Sequence, residues 1–427
     1  MFRKWFVENN GFAFQVSMTF ATRTVILIAG FALSIIMARY LGADGLGTYT
    51  VLITIAAMGG QFGSFGLHTA NTYFIARERG LLPGIMGNTI WFSLAGGLLA
   101  GLILMVVLHF HPNLAAGIST GLLLLSLLSV PFNLLFMLGQ NVLLGMQEIK
   151  AYNFFELLGR LAPFMAITLL LVFCKQGIGS VIIATVLSSM VFSLAVMKKL
   201  HPGGRPVFDA VLFKKMLVYG LKIYLACIFA FLLLRFDLLM VNCFLGAGEA
   251  GVYSITALIG DVLCMLPGVA GMILFPRVSG MRGGRSWEFT AGVARVTAGV
   301  MLVACLAAAL LAGPFVTFFY GGAFEEAVAA LWWLLPGVFG LSVNTIFMNY
   351  FAGRGMPPVM VISPLLALIL NISLNLYFIP VYGIKGAAFT SSVAYFVVLI
   401  MSLVYLRVYL RRKINEVEFV CNPPGLG

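Results

Sequence analysis

Charged residues are scarce in this chain. Asp, Glu, Lys and Arg together account for 9% of its 427 residues, against about 25% in a soluble domain. Hydrophobic residues account for 61%, and the mean hydropathy is +1.05. Because no water-soluble core explains this balance, the composition excludes an ordinary soluble protein and indicates a polytopic membrane protein that lies in a lipid bilayer.

Cysteine and histidine are also few, at six and four residues. The cysteines show neither a CxxC pair nor metal-ligand spacing, and most lie in apolar runs, where a thiol behaves as a small hydrophobic group. The chain also has no Walker, GxSxG or HExxH sequence and no carboxylates with catalytic spacing. We therefore predict no disulfide framework, no metal site, no cofactor and no enzyme activity.

Acidic residues are outnumbered by basic ones, 14 against 26, which gives a net charge of +12. The basic residues are spread among short loops and form no single patch, so we expect no nucleic-acid partner. Eighteen of them fall on one side of the predicted membrane spans, and only Arg39, Lys175 and Lys385 fall on the other. This bias predicts that both termini are cytoplasmic.

Long hydrophobic runs are what the chain has in abundance. A hydrocarbon core of about 30 Å takes roughly 20 helical residues to cross. We predict twelve transmembrane helices, at 11–38, 47–74, 84–108, 116–144, 153–174, 178–197, 216–244, 251–275, 290–319, 327–352, 358–380 and 386–408. The first run is too long for the apolar region of a signal peptide, so we expect it to remain as the first helix.

Three short sequences recur at a nearly constant spacing. LGADGLGTY at 41–49 shares five residues with LGAGEAGVY at 245–253, an offset of 204. Two further pairs follow in chain order: NVLLG at 141–145 with NYFAG at 349–353, and QGIGS at 176–180 with YGIKG at 382–386. The pattern indicates a duplicated unit of roughly 205 residues. Six helices per unit is an even number, so both units have the same orientation and form a parallel repeat.

The repeat predicts the organisation of the chain. We expect an N-lobe at 1–200, a cytoplasmic crossover linker at 201–215, a C-lobe at 216–413 and a short cytoplasmic tail at 414–427. The linker contains PGGRP, a turn-rich sequence.

Arg23 lies far from either end of the first predicted helix. A charge near the bilayer centre costs several kcal/mol, so it needs a partner or water. Polar residues share its helix face and one face of the next helix. We predict that these faces line a hydrated cavity; the alternative is helix packing, where such residues also collect. The polar residues in question are Gln15, Thr19, Gln61, His68 and Asn71.

The seventh helix carries Arg235 and Asp237, which point about 200° apart on a regular helix. One of them is expected to face the cavity and the other a neighbouring helix. Asp261, on the eighth helix, lies at a depth comparable to Arg235, so the two can pair. Such a pair either positions helices or joins a protonatable acid to an anion-binding arginine.

Charges inside the predicted spans number five basic and three acidic. This excess of positive charge would attract an anionic ligand such as a phosphate or pyrophosphate head group.

Several segments resemble a known family. MARYLGADGLGTYTVL (37–52) is similar to the start of Wzx-type O-antigen and exopolysaccharide flippases, which are polysaccharide transporters of the MOP flippase superfamily. LLLRFDLLMV (232–241), LGAGEAGVYSIT (245–256) and NLYFIPVYGIKGAAFTSS (375–392) resemble the corresponding parts of the second lobe. The resemblance implies an all-α membrane protein in which two parallel-repeat six-helix lobes form a V around a central cavity.

The resemblance also implies a function. The protein would flip an undecaprenyl-pyrophosphate-linked oligosaccharide from the cytoplasmic to the outer leaflet of a bacterial or archaeal cytoplasmic membrane, by alternating access with possible ion coupling. Arg23, Lys222 and Arg235 would hold the anionic head group, and Asp237 and Asp261 would serve ion coupling or gating. Besides this lipid-linked substrate, polymerase or ligase proteins of the same pathway are expected partners.

Other functions remain open. A lipid II flippase is the nearest alternative, although those proteins usually have fourteen helices. A MATE-like exporter of cationic drugs is a second alternative, but an excess of basic residues inside the membrane would repel cations. A membrane-bound polymerase or ligase would be expected to have a large outward loop, and every outward loop predicted here is short.

Overall fold

A computed structural model of the chain describes residues 10–201, 206–281 and 285–421, with side chains at 17–201, 206–275, 277–281 and 286–408. The described residues form α-helices and contain no strand. The helices are α1 (Asn10–Ser64), α2 (Leu67–Arg77), α3 (Leu82–Phe110), α4 (Thr120–Leu127), α5 (Val130–Gly145), α6 (Ile149–Thr168), α7 (Ile178–Leu200), α8 (Ala210–Leu245), α9 (Ala247–Gly280), α10 (Arg285–Phe319), α11 (Glu326–Gly353) and α12 (Val359–Cys421). A π-helical turn, Leu169–Phe173, follows α6.

Ten helical segments within the described residues are long and apolar enough to cross a membrane. Two of them, on α1 and α12, are interrupted by a glycine outside the helical region: Gly42 (φ 70°) and Gly383 (φ 63°). Each side of either break is long enough for one span of roughly 20 residues. The prediction of an all-α membrane protein with about twelve transmembrane helices is confirmed.

The breaks follow from local chemistry. Gly42 and its repeat partner Gly246 both have positive φ, at 70° and 89°, a backbone region that glycine enters without steric cost. Pro131 lies in the first turn of α5, where its missing N–H costs no hydrogen bond. It therefore divides the predicted fourth helix into α4 and α5.

The start of α8 is set by a side-chain cap. Asp209 accepts a hydrogen bond from the Leu212 N–H at 2.9 Å.

The exterior carries large apolar side chains. Leu310 is 79% exposed, Phe318 73% and Trp91 62%. A soluble monomer rarely exposes so many large apolar side chains, whereas a protein surrounded by lipid does.

The chain divides into two compact units. The first comprises the chain up to Ile228, together with Leu238–Ile255 and Val316–Ala327. The second comprises Phe229–Asp237, Thr256–Phe315 and the chain from Val328 onward. The predicted N-lobe, linker and C-lobe boundaries stay a prediction, and residues 202–205 of that linker lie outside the described residues. In the predicted tail, α12 continues to Cys421, and 422–427 lie outside the described residues.

The core of the first unit is built by α2, α3, α5, α7 and α8, with Leu138 and Ile75 fully buried at its centre. Close approach of these helices depends on small residues, as is usual in membranes. A Cβ added to Gly97 would lie 2.5 Å from Pro131 Cα, and one on Gly145 would lie 2.9 Å from Thr72 Cα.

The same unit also holds the end of α10 against α1. The Arg39 guanidinium donates to the carbonyl oxygens of Phe318 and Phe319, the latter at 2.8 Å, and a cation is favourable at a helix C-terminus. The hydroxyls of Ser34 and Tyr320 are 2.7 Å apart.

The core of the second unit is built by α9, α10, α11 and α12 around Phe351 and Ile346. Gly353 is the repeat partner of Gly145. A Cβ there would lie 3.3 Å from Val278 and 3.2 Å from Ser279, so α11 packs against α9 at this glycine, less closely than α5 packs against α2. Equivalent glycines thus serve equivalent helix contacts in both units.

Candidate transport site

Arg23 is half-buried on α1 and faces α6, within the first unit. Tyr152 of α6 lies within hydrogen-bonding reach of both Arg23 and Glu156. Thr19, one helical turn before Arg23, accepts a hydrogen bond from the Asn153 amide at 2.9 Å. Two predicted site residues, Thr19 and Arg23, therefore belong to one polar cluster with α6.

Arg235 and Asp261 form an ion pair within the second unit. Arg235 Nη2 lies 2.8 Å from Asp261 Oδ2, and the side chains are 36% and 41% exposed. The sequence predicted that these two residues could pair, and the geometry agrees. Since one short contact uses only part of a guanidinium with five N–H donors, Arg235 keeps the capacity to bind a second anionic group.

Asp237 lies on the other side of α8 and is 4% exposed. It accepts a hydrogen bond from Ser391 Oγ at 3.1 Å. Ser391 in turn accepts from the Asn371 amide at 3.3 Å, and Asn371 accepts from the Asn375 amide at 3.0 Å. Each of these three partners is fully buried. The separation of Arg235 and Asp237 onto different faces agrees with their spacing of two.

The buried relay of Asp237, Ser391, Asn371 and Asn375 is extended by Thr390, whose hydroxyl donates to Asn375 Oδ1. Tyr395, 5% exposed, lies close enough to interact electrostatically with Asp237, Asp261 and Arg235. The relay supplies carboxylate, amide and hydroxyl oxygens, which are the ligands that hard cations prefer, and a carboxylate that can carry a proton.

Lys222 belongs to neither cluster. It is exposed on α8, in a groove of the first unit shared with Arg77, Lys214 and Lys215. The structure thus places the three predicted head-group residues Arg23, Lys222 and Arg235 in three different surroundings.

The predicted cavity-lining residues other than Thr19 also lie on α1 or α2. Gln61 and His68 are half-buried. Asn71 is fully buried, and its amide donates to Thr89 Oγ1 at 3.0 Å and to the Leu138 carbonyl at 3.1 Å. These hydrogen bonds join α2 to α3 and α5, as asparagine side chains often do between packed membrane helices. Gln15 lies outside the residues with described side chains.

Sequence reasoning missed the relay and the α6 partners. Asn371 and Asn375 are four residues apart, the spacing that places two side chains on one helix face, and this was an available signal. The partnership of Tyr152 with Arg23 had no signal, because the two are far apart in sequence. Within the described parts of the chain, no group of three or more His, Cys, Asp or Glu side chains could hold a metal ion.

Comparison with known structures identifies the fold. An inward-closed structure of the lipid II flippase MurJ superposes with a TM-score of 0.77 at 16% identity, over 92% of this chain and 87% of that one. An inward-facing MATE multidrug transporter of the MOP superfamily superposes with a TM-score of 0.73 at 15% identity, over 93% and 98% of the two chains. A MOP transporter from Pyrococcus furiosus gives 0.64 at 14% identity, over 93% and 94%. The chain has the MOP fold.

Comparison with known sequences identifies the family. An uncharacterized membrane protein of Methanocaldococcus jannaschii is 22% identical over 249 residues, which are 56% of this chain and 49% of that protein; the match thus spans about half the length of this relative. The family model described as polysaccharide biosynthesis protein matches residues 36–329, more than half of the chain. The chain is therefore a multi-pass membrane protein of the polysaccharide biosynthesis protein family, with the fold of the MOP-superfamily flippases and transporters.

Proposed function

We propose that this protein flips an undecaprenyl-pyrophosphate-linked oligosaccharide from the cytoplasmic to the outer leaflet of a bacterial or archaeal cytoplasmic membrane. The movement would use alternating access coupled to an ion, with both termini in the cytoplasm. The observation that carries the proposal is Arg23, a half-buried guanidinium inside the first spanning helix of a polysaccharide biosynthesis protein.

A pyrophosphate suits the surroundings of Arg23. A guanidinium pairs with phosphate oxygens through two parallel N–H bonds, and the attraction is stronger in a region of low dielectric than in water. Tyr152, which lies within hydrogen-bonding reach of both Arg23 and Glu156, joins Arg23 to the α6 side. A bound pyrophosphate would compete with the Tyr152 hydroxyl for the guanidinium, so binding and release would move α1 relative to α6.

Arg235 supplies a second anion-binding group in the second unit. Its contact with Asp261 is partly exposed, so water and ligand can reach the pair. A phosphate or an acidic sugar arriving there would compete with Asp261 for the guanidinium. Each unit would then contain an arginine whose protein partner, Tyr152 or Asp261, is exchanged for the substrate.

Asp237 is our proposed ion-coupling residue. Its carboxylate is buried and receives a hydrogen bond from Ser391, which belongs to the relay of amide and hydroxyl groups on α12. Adding or removing a cation or proton there would change the charge inside the second unit. Because a buried charge costs several kcal/mol without a partner, this change is large enough to favour one packing of α8 against α12 over another.

A leaflet assay tests the substrate. Purified protein is reconstituted into vesicles with polyprenyl-pyrophosphate-linked oligosaccharide, and access of the sugar to a membrane-impermeant enzyme is followed. We expect protein-dependent access that falls about tenfold or more in Arg23→Ala and Arg235→Ala, because loss of a charged hydrogen bond costs about 1.5–3 kcal/mol. Arg295→Ala is the matched control, since Arg295 is an exposed arginine on spanning helix α10 outside both clusters.

Three outcomes would count against the proposal. Wild-type transport by both arginine variants would remove their assigned role. Flipping of lipid II alone would indicate that the substrate is a peptidoglycan precursor. Proton-dependent efflux of a small organic cation, with no flipping of either lipid, would indicate an antiporter.

The coupling is tested in the same vesicles with an imposed sodium or proton gradient. We expect the gradient to accelerate flipping by the wild type and by Glu148→Gln, which removes a surface acid near Lys199. In Asp237→Asn, flipping should lose its dependence on the gradient, because the amide can neither take up a proton nor carry the charge that a cation needs. An unchanged gradient response in Asp237→Asn would refute this role. The assay does not require pathway partners such as a polymerase or ligase.

A further inference from the structure

A groove between the end of α2 and the start of α8 collects four basic side chains within the first unit. Its volume is about 650 Å³. The residues that line it are Tyr73, Phe74, Arg77, Ala210, Val211, Lys214, Lys215, Val218, Tyr219 and Lys222. The lining thus contains four cations and no carboxylate, so the groove attracts anions.

The α8 wall of the groove is amphipathic. Val211, Lys215, Val218 and Lys222 recur at spacings of four, three and four residues, which places them along one helix face. Val211 is 67% exposed and Val218 54%. An apolar surface left open beside lysines is expected where a protein meets the head groups and the first methylenes of a lipid, because a lysine extends its charged end toward the interface.

The α2 wall is joined to α8 by an aromatic contact. Tyr73 stacks on Tyr219 with ring centroids 4.3 Å apart and an interplanar angle of 16°, so the two helices are joined at the floor of the groove. Arg77 donates a hydrogen bond to the Tyr73 hydroxyl at 3.3 Å. The nearby Asp209 carboxylate is occupied in capping α8 and is not part of the lining. The cations are thus held around a space that no acidic side chain fills.

We propose that this groove binds the phosphate-bearing head group of a lipid. The phosphate would lie among Arg77, Lys214 and Lys215, and the hydrocarbon chain would run along Val211 and Val218. Basic pockets between membrane helices bind lipid head groups in this manner. The lipid is either an anionic phospholipid of the bilayer or a polyprenyl-pyrophosphate carrier, since both present phosphate oxygens above a hydrocarbon chain.

Native mass spectrometry of the full-length protein in detergent tests the site. The protein is titrated with phosphatidylglycerol, with a polyprenyl pyrophosphate and with phosphatidylcholine as the zwitterionic reference. The variant is the double substitution Lys214→Gln and Lys215→Gln. Its matched control is Lys198→Gln and Lys199→Gln, an adjacent lysine pair at the end of α7 that does not line the groove.

We expect the wild type and the control to bind at least one of the two anionic lipids more tightly than phosphatidylcholine. The groove variant should bind it about ten- to thirtyfold more weakly, since each lysine near a membrane surface contributes about a factor of five. Loss confined to phosphatidylglycerol identifies a phospholipid site, and loss confined to the pyrophosphate identifies a carrier site. Arg77→Gln serves as a second variant if the double substitution lowers the yield of folded protein.

The proposal is overturned if the groove variants bind both anionic lipids as the wild type does, or if the control pair weakens binding equally. These results are separable from the leaflet assay. Lipid binding that depends on Lys214 and Lys215 would stand even if no oligosaccharide were flipped, and flipping could occur with this groove empty.

Discussion

Gly47 and Gly251, which are repeat partners, lie backbone to backbone in the first unit. A Cβ on Gly47 would lie 2.8 Å from the Gly251 nitrogen and would overlap the carbonyl oxygen of Ala247. A Cβ on Gly251 would lie 2.9 Å from the Gly47 nitrogen and would overlap the carbonyl oxygen of Ala43. The two halves of the duplication therefore meet in a reciprocal contact, with the same atoms on both sides, as in a two-fold interface.

The reciprocal glycine contact predicts that alanine is not tolerated at either position. In Gly47→Ala and Gly251→Ala, the new methyl group forces the two turns apart, at a cost of about 1–3 kcal/mol. Gly60→Ala is the control, because a Cβ there meets nothing within 4 Å. Thermal unfolding in detergent measures the difference, and equal unfolding temperatures for all three variants would contradict the contact.

The Arg235–Asp261 pair predicts non-additive substitutions. Arg235→Ala or Asp261→Ala alone leaves one charge without its partner inside the membrane, whereas the double substitution removes both. We expect the double variant to be more stable than the sum of the single effects, by about 1–2 kcal/mol. A double-mutant cycle from denaturation in mild detergent checks this, and strict additivity would show that the pair contributes nothing.

The hydrogen bonds of Asn71 predict a loss of stability without a loss of transport. Asn71→Leu leaves Thr89 Oγ1 and the Leu138 carbonyl short of a donor in the interior of the first unit, which costs about 1–3 kcal/mol. Flipping per folded molecule should stay near the wild-type rate if Asn71 acts only in packing. Thr89→Val, which removes one end of the same contact, is the comparison. Full stability with abolished flipping in Asn71→Leu would instead place Asn71 in the transport path.

The burial of Tyr320 predicts that its contribution to stability depends on pH only in alkaline solution. Burial raises the pKa of Tyr320 to about 12, although its hydrogen bond to Ser34 acts in the opposite direction. The unfolded tyrosine titrates near 10. Because the folded state favours the protonated phenol, its contribution to stability is present below pH 10 and is lost as the pH rises toward 12.

Comparison with Tyr320→Phe isolates this group. The stability difference between wild type and Tyr320→Phe should be constant from pH 6 to 9, at about 1 kcal/mol for one hydrogen bond, and should change only above pH 10. Ser34→Ala removes the other hydroxyl and is expected to lower stability by a similar amount. A difference that varies between pH 6 and 9 would show that the phenol is not buried as described.

Several features of the molecule followed from sequence patterns alone. Composition and run length predict an all-α membrane protein, because apolar runs of this length have no other stable place. The break at Gly42 and its counterpart at Gly246 could be predicted from the repeat, since each is the glycine of an LGA sequence between two apolar runs. The Arg235–Asp261 pair could be predicted from helical depth, because two charges in lipid at one level gain most by meeting.

The surroundings of the site residues required the tertiary structure. Helical periodicity says that Arg23, Gln61 and Asn71 lie on polar faces, but a polar face can meet water, substrate or another helix equally well. The tertiary structure determines which of these surroundings each residue has. Asn71 lies in the contact of α2 with α3 and α5, and Tyr152 of α6 lies next to Arg23. It also aligned Asp237 with Ser391, 154 residues away, because hydrogen bonds between distant helices depend on packing that no local spacing encodes.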